Sequence, residues 1–112
     1  SCGACHQADG KGLPHMAPTL AKSDWVIGDA KRLIGVAVHG LMGPIKVNGQ
    51  LVEGDPPIMP PHGFMKNDQL ADILTYVRNA WGNRAGLISE EALISYRKSE
   101  SARIAPWTEA EF

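Results

Sequence analysis

Cys2-Gly3-Ala4-Cys5-His6 gathers both cysteines of the chain and one of its four histidines into five positions. A disulfide between thiols this close would have to close a very small ring, and His6 follows at once. Half of a structural zinc site would need a second ligand pair, and the chain has no further C-x-x-C or H-x-x-x-H. A thioredoxin-like redox pair belongs in a βαβ setting, which the helix-and-loop pattern here lacks. What remains is covalent attachment of a c-type haem. At this spacing the two thiols can each reach a vinyl group on one edge of the macrocycle, and the adjoining histidine is carried under the iron. Cys2 and Cys5 are therefore read as thioether positions and His6 as an axial ligand.

The group opposite His6 decides the chemistry. A thioether there favours reduced iron and raises the potential, whereas an open position admits ligands or peroxide. Four methionines compete. Met16 lies between Pro14 and Pro18, where the chain is still wrapping the histidine side, and Met42 in Leu41-Met42-Gly43-Pro44 suits a turn or core role. Met65 stands two residues ahead of a helix and can staple onto it. Met59, in Ile58-Met59-Pro60-Pro61, falls where no helical or strand period accounts for an apolar side chain. A proline-stiffened loop is a good mount for a ligand, so Met59 is favoured, with Met65 as the alternative and gap-filling as the everyday role of either. His15, His39 and His62 read as solvent-facing or capping groups, His62 being the one to test as a substitute ligand.

Residues 1–28 hold the cysteine motif and a stretch punctuated by Gly10, Gly12, Pro14 and Pro18, which argues against regular structure. Asp29 as N-cap and Gly40 as stop predict a helix through His39, its apolar residues spread too widely for a single stripe and so buried on more than one side. Asn48-Gly49, flanked by Ile45, Val47, Leu51 and Val52, predicts a small hairpin. Four prolines keep residues 55–63 from helix or central strand. Leu70, Ile73, Leu74, Val77 and Trp81 share one stripe of a helix predicted from Asn67 as N-cap to about Trp81, ended by Gly82. A last helix is expected from Ser89 to about Lys98, and the end of the chain through Pro106-Trp107 as irregular structure draped on the domain.

At 112 residues the chain is one domain with a modest core that an enclosed prosthetic group would extend. A net charge of −1 with both signs interspersed offers no footprint for nucleic acid and no polybasic anchor. No apolar run is long enough to cross a bilayer, so direct membrane insertion is not expected. Thioether attachment takes place outside the reducing cytoplasm, which points to a periplasmic or other extracytoplasmic location.

Together these residues resemble the class I c-type cytochromes, over about residues 2–83: Cys2-Gly3-Ala4-Cys5-His6, Asp9-Gly10-Lys11-Gly12, Ala17-Pro18-Thr19-Leu20, Met59-Pro60, and Leu74 through Asn83. The Met-Pro element ahead of Tyr76-Val77-Arg78-Asn79 and Trp81-Gly82-Asn83 is similar to cytochrome domains attached to periplasmic, quinoprotein-type dehydrogenases. The resemblance implies an all-α cytochrome c fold with a small β-hairpin insertion. It also implies a haem c iron held by His6 and Met59, and a Pro18 carbonyl that orients the His6 ring. The function implied is outer-sphere electron transfer from a dehydrogenase partner to an oxidase or another cytochrome, with the domain a carrier and not an enzyme. An open-site peroxidase or gas-binding haem domain is the alternative. Trp25, Tyr76 and Trp81 are expected to pack in the core or touch haem propionates. The family places a helix ahead of the haem motif, where this chain has only Ser1. Either 1–83 is a haem domain cut from a longer protein, or the missing helix is replaced by 84–112, a tail with one short helix that would cover the last helix of the haem domain; truncation is favoured, because Leu70, Leu74 and Val77 would otherwise lack a partner.

Overall fold

The structure, a computed structural model, describes residues 2–13, 17–52 and 58–112. Among the described residues five helices form: α1 (Cys2–His6), α2 (Asp24–Ile27), α3 (Ala30–His39), α4 (Asn67–Asn79) and α5 (Glu90–Ser99). The strands are two residues each: β1 (Leu41–Met42), β2 (Lys46–Val47), β3 (Gln50–Leu51) and β4 (Ile58–Met59). A 3₁₀ turn at Glu109–Glu111 closes the chain. The expected mostly helical architecture with a small hairpin is what forms.

Local chemistry sets the helix ends. Asp29 caps α3 by accepting the Lys31 N–H at 3.0 Å, and Gly40 stops it, its N–H reaching the Val36 carbonyl. Leu33 through Val38 are all buried, the burial on several sides that the apolar spread implied. Ser89 caps α5 through the Ala92 N–H. The cap of α4, expected at Asn67, is one residue earlier at Lys66, whose N–H is taken by the Gln69 side chain at 3.1 Å. The helix also ends at Asn79 and not at Trp81. The buried Asn83 side-chain amide donates to the Val77 carbonyl at 2.9 Å, and Trp81 turns into the left-handed region with φ 53°.

Two helices and one strand pair escape the sequence pattern. α2 forms inside the Gly/Pro-rich region because the Ser23 hydroxyl accepts the Trp25 N–H. α1 is complete before the first of those glycines and prolines that follow the motif. β1 pairs antiparallel with β4, Leu41 opposite Met59, joining segments far apart in the chain. The hairpin β2–β3 forms as expected around Asn48-Gly49, both at positive φ, as its tight turn requires.

The core is in two parts. Val26, α3, α4 and α5 supply one cluster, in which Leu70, Leu74, Val77, Leu93 and Tyr96 meet. Trp25, Val36, Leu41, Ile45 and Val47 supply the other, with Met59 and Trp107 packed against it. Leu93, in α5, has no exposed surface and packs with Leu70, Leu74 and Val77, so α4's apolar stripe has the partner it was expected to lack, and that ground for truncation falls away. The end of the chain is held in place too: the Trp107 N–H bonds the Gly40 carbonyl at 3.0 Å and its carbonyl takes the Met42 N–H at 2.8 Å.

Candidate functional site

Helix α1 is one and a half turns long and presents the whole cysteine motif. Cys2 is half-buried, Cys5 exposed, neither is in a disulfide, and His6 is buried. The His6 Nδ1 lies 3.0 Å from the Pro18 carbonyl oxygen. A carbonyl only accepts, so Nδ1 carries the proton and Nε2 keeps its lone pair for a metal. Burial holds the imidazole below its ordinary pKa, against the pull of the Pro18 carbonyl, and neighbouring His62 lowers it further. The net effect, dominated by burial, favours the neutral ring that a metal needs.

Gly12 makes the Pro18 contact possible. Its φ is +73°, and a Cβ there would stand 2.6 Å from the Pro18 oxygen. The same loop is drawn in by the Gly12 N–H to the His6 carbonyl at 2.9 Å and the Leu20 N–H to the Gly10 carbonyl at 2.6 Å. Thus Asp9-Gly10-Lys11-Gly12 and Ala17-Pro18-Thr19-Leu20, distinct stretches in the sequence, fold into one support for a single imidazole.

Cys2, Cys5, His6 and Pro18 sit on the wall of a cleft completed by residues of both core clusters. Trp25, Val26, Leu33, Val36, Ile45, Val47, Leu70 and Leu74 are among its apolar lining. Its unfilled space, mouth and adjoining solvent included, is about 1220 Å³. Met59 lines it from β4 and Met65 from the approach to α4. Met42 is exposed and takes no part, and Met16 and His15 lie outside the described residues. His62 also lines the cleft, and its buried Nδ1 has no hydrogen-bond partner. Both His62 and His39 are half-buried, in place of the solvent-facing positions expected of them; His39 Nδ1 lies 2.7 Å from the Tyr96 hydroxyl.

Of the three aromatics singled out by sequence, Trp25 is buried on the cleft wall and donates its indole N–H to the Lys46 carbonyl at 2.8 Å. Trp81 is half-buried, its indole N–H on the Ala8 carbonyl. Tyr76 does not fill the core: it is 62 % exposed and edge-on to Trp81. The hairpin's share of the wall was missed, although Ile45 and Val47 alternate as a one-faced strand does.

These residues fit a haem. The cleft is broad and apolar, the thiols and a correctly protonated imidazole share one helix, and a buried ring nitrogen waits without a partner. Among the described residues no three His, Cys, Asp or Glu side chains gather as a protein-only metal site would require.

The chain belongs to the cytochrome c family, whose model matches residues 1–81. Membership implies covalently bound haem c, and domains of this family are electron carriers rather than catalysts themselves. The chain is 33% identical over 90 residues to cytochrome c-552 of Thermus thermophilus, a match covering 73% of this chain and 63% of that protein. It is also 33% identical over 109 residues to the gluconate 2-dehydrogenase cytochrome c subunit of Pantoea cypripedii, covering 92% of the chain and 23% of the subunit. The cytochrome c subunit of a quinone alcohol dehydrogenase from Gluconacetobacter polyoxogenes is 31% identical over 88 residues, 75% of this chain and 18% of that one. The chain thus spans less than two thirds of the Thermus relatives and under a quarter of the dehydrogenase subunits.

Proposed function

We propose that this domain passes single electrons between protein partners, with Cys2 and Cys5 as thioether anchors and the iron held between His6 and Met59. The haem supplies a one-electron ferrous–ferric couple, and a thioether ligand weights it toward the reduced form. The observation that carries the reading is that His6 and Met59 line one apolar cleft from elements fixed separately, α1 by the Pro18 loop and β4 by its pairing with β1. Separate supports keep both ligands in place whichever charge the metal bears. The apolar wall keeps water out, so little has to rearrange when an electron arrives.

The donor on this reading is a dehydrogenase module and the acceptor an oxidase or another cytochrome, in the periplasm or another extracytoplasmic space. Support comes from relatives that are cytochrome c subunits of gluconate and alcohol dehydrogenases. No helix among the described residues is long and apolar enough to cross a membrane. The test is the ferric absorption spectrum of the matured protein. A low-spin spectrum with a methionine-to-iron charge-transfer band at the red end of the visible is expected. A high-spin spectrum lacking that band would replace this reading with the open-site peroxidase or gas-binding one.

A further inference from the structure

Arg97 lies in α5, beyond the residues that the family model matches, yet it reaches back to the segment that leads from Met59 into α4. Its Nη1 donates to the Gly63 carbonyl at 2.9 Å and its Nη2 to the Met65 carbonyl at 2.7 Å, while its buried Nε has no partner. The His62 N–H adds a bond to the Ala37 carbonyl of α3 at 2.8 Å. Between Met59 and these ties stand only Pro60 and Pro61, whose rings fix φ. A hinge is therefore hard to place there, and restraint applied at residues 62–65 is transmitted to Met59. On its other side β4 depends on β1, which is itself bonded to Trp107.

We infer that Arg97 is a positioning residue for the iron's thioether ligand, its two-pronged grip on the Gly63 and Met65 carbonyls keeping the 59–65 segment closed over the cleft. The inference rests on Met59 as that ligand. A charged fork with two aligned donors suits this task, because an ammonium on a flexible stem is a point charge without the fixed geometry. Loss of the grip frees the segment to open locally while α3, α4 and α5 stay packed, since Leu93 and Tyr96 anchor α5 independently.

The test is the rate at which cyanide binds the ferric, haem-loaded protein, followed by the Soret shift, in wild type, Arg97→Ala, Arg97→Lys and Ile88→Ala. Ile88 is buried in the core away from the cleft lining, so its truncation lowers global stability without touching the loop carbonyls. Arg97→Ala is expected to bind cyanide at least about fivefold faster than wild type, Arg97→Lys to lie between them, and Ile88→Ala to match wild type. A smaller acceleration in Arg97→Ala overturns the inference, as does an equal acceleration in Ile88→Ala. Should Arg97→Ala fail to load haem, Arg97→Lys decides by the same comparison. A wild-type ferric protein already high-spin and open to cyanide overturns the Met59 reading itself, whereas a closed wild type with an unresponsive Arg97→Ala overturns only the role of Arg97.

Discussion

The Trp81 indole packs so closely on Gly10 that a Cβ on the glycine would lie 2.5 Å from the indole Cδ2 and Cε3. Gly10 also has a φ of +70°. Its carbonyl accepts the Leu20 and Ala21 N–H groups, so this contact, together with the Trp81 indole N–H on the Ala8 carbonyl, builds the loop that supports His6 against the turn that follows α4.

Gly10→Ala therefore meets two penalties at once. A left-handed backbone costs an L-residue about 1–2 kcal/mol, and overpacking against the indole adds about 1–3 kcal/mol. A loss of roughly 3 kcal/mol in urea denaturation of the haem-loaded protein is expected. Gly3→Ala is the control, for nothing lies within 4 Å of its missing Cβ. A Gly10→Ala protein as stable as Gly3→Ala would show that the indole moves aside freely.

The part of the fold written locally was legible in the sequence. Asp29 and Gly40 bounded α3, Ser89 opened α5 and Asn48-Gly49 turned the hairpin, because each signal acts within a few residues of itself. Long-range partners were not legible. Nothing near Leu41 announces that Met59 will pair with it, and nothing near Trp81 announces that the Asn83 side chain will end its helix early. The cysteine motif carried its own spacing and so its chemistry. The Pro18 carbonyl came from family resemblance alone, since a main-chain acceptor leaves no mark on residue type.

Both Met59 and Met65 border the cleft, so the two substitutions must be compared. Met59→Ala is expected to lose the charge-transfer band, lower the potential and bind cyanide about tenfold or more tightly, because the internal competitor for the iron is gone. Met65→Ala is expected to keep the band. Met65 packs against the α3–α4–α5 cluster, and its truncation should cost about 2 kcal/mol of stability as a core methionine does. The reverse pattern, band lost in Met65→Ala and kept in Met59→Ala, would transfer the ligand role to Met65.

Cys2 and Cys5 differ in exposure, but each is expected to carry one thioether. A single Cys→Ala change at either position should leave haem attached through the remaining bond, with weaker retention, visible as peroxidase staining after denaturing electrophoresis. The double change should release the haem to acid acetone. Haem that resists extraction in the double variant would place the covalent bond elsewhere.

The Tyr96 hydroxyl stands between two ring nitrogens. It accepts the Trp107 indole N–H at 2.7 Å and lies 2.7 Å from His39 Nδ1, to which its own proton is then directed. Burial pushes the Tyr96 phenol above the ordinary tyrosine pKa, although the Trp107 bond pulls it back, Glu100 adding to the rise and Arg103 opposing it. With the folded value above the unfolded one, the folded state holds its proton longer. The stabilisation is then fully present below about pH 10 and disappears as pH rises through the folded value. Tyr96→Phe strands the Trp107 N–H and should cost about 1–3 kcal/mol at neutral pH. Denaturation of wild type and Tyr96→Phe side by side cancels every pH-dependent contribution that the two proteins share. The stability gap between the two proteins should be constant from pH 7 to about 10 and narrow above it. A gap that stays level, or widens, through the alkaline range would mean that the hydroxyl does not titrate from its hydrogen-bonded state.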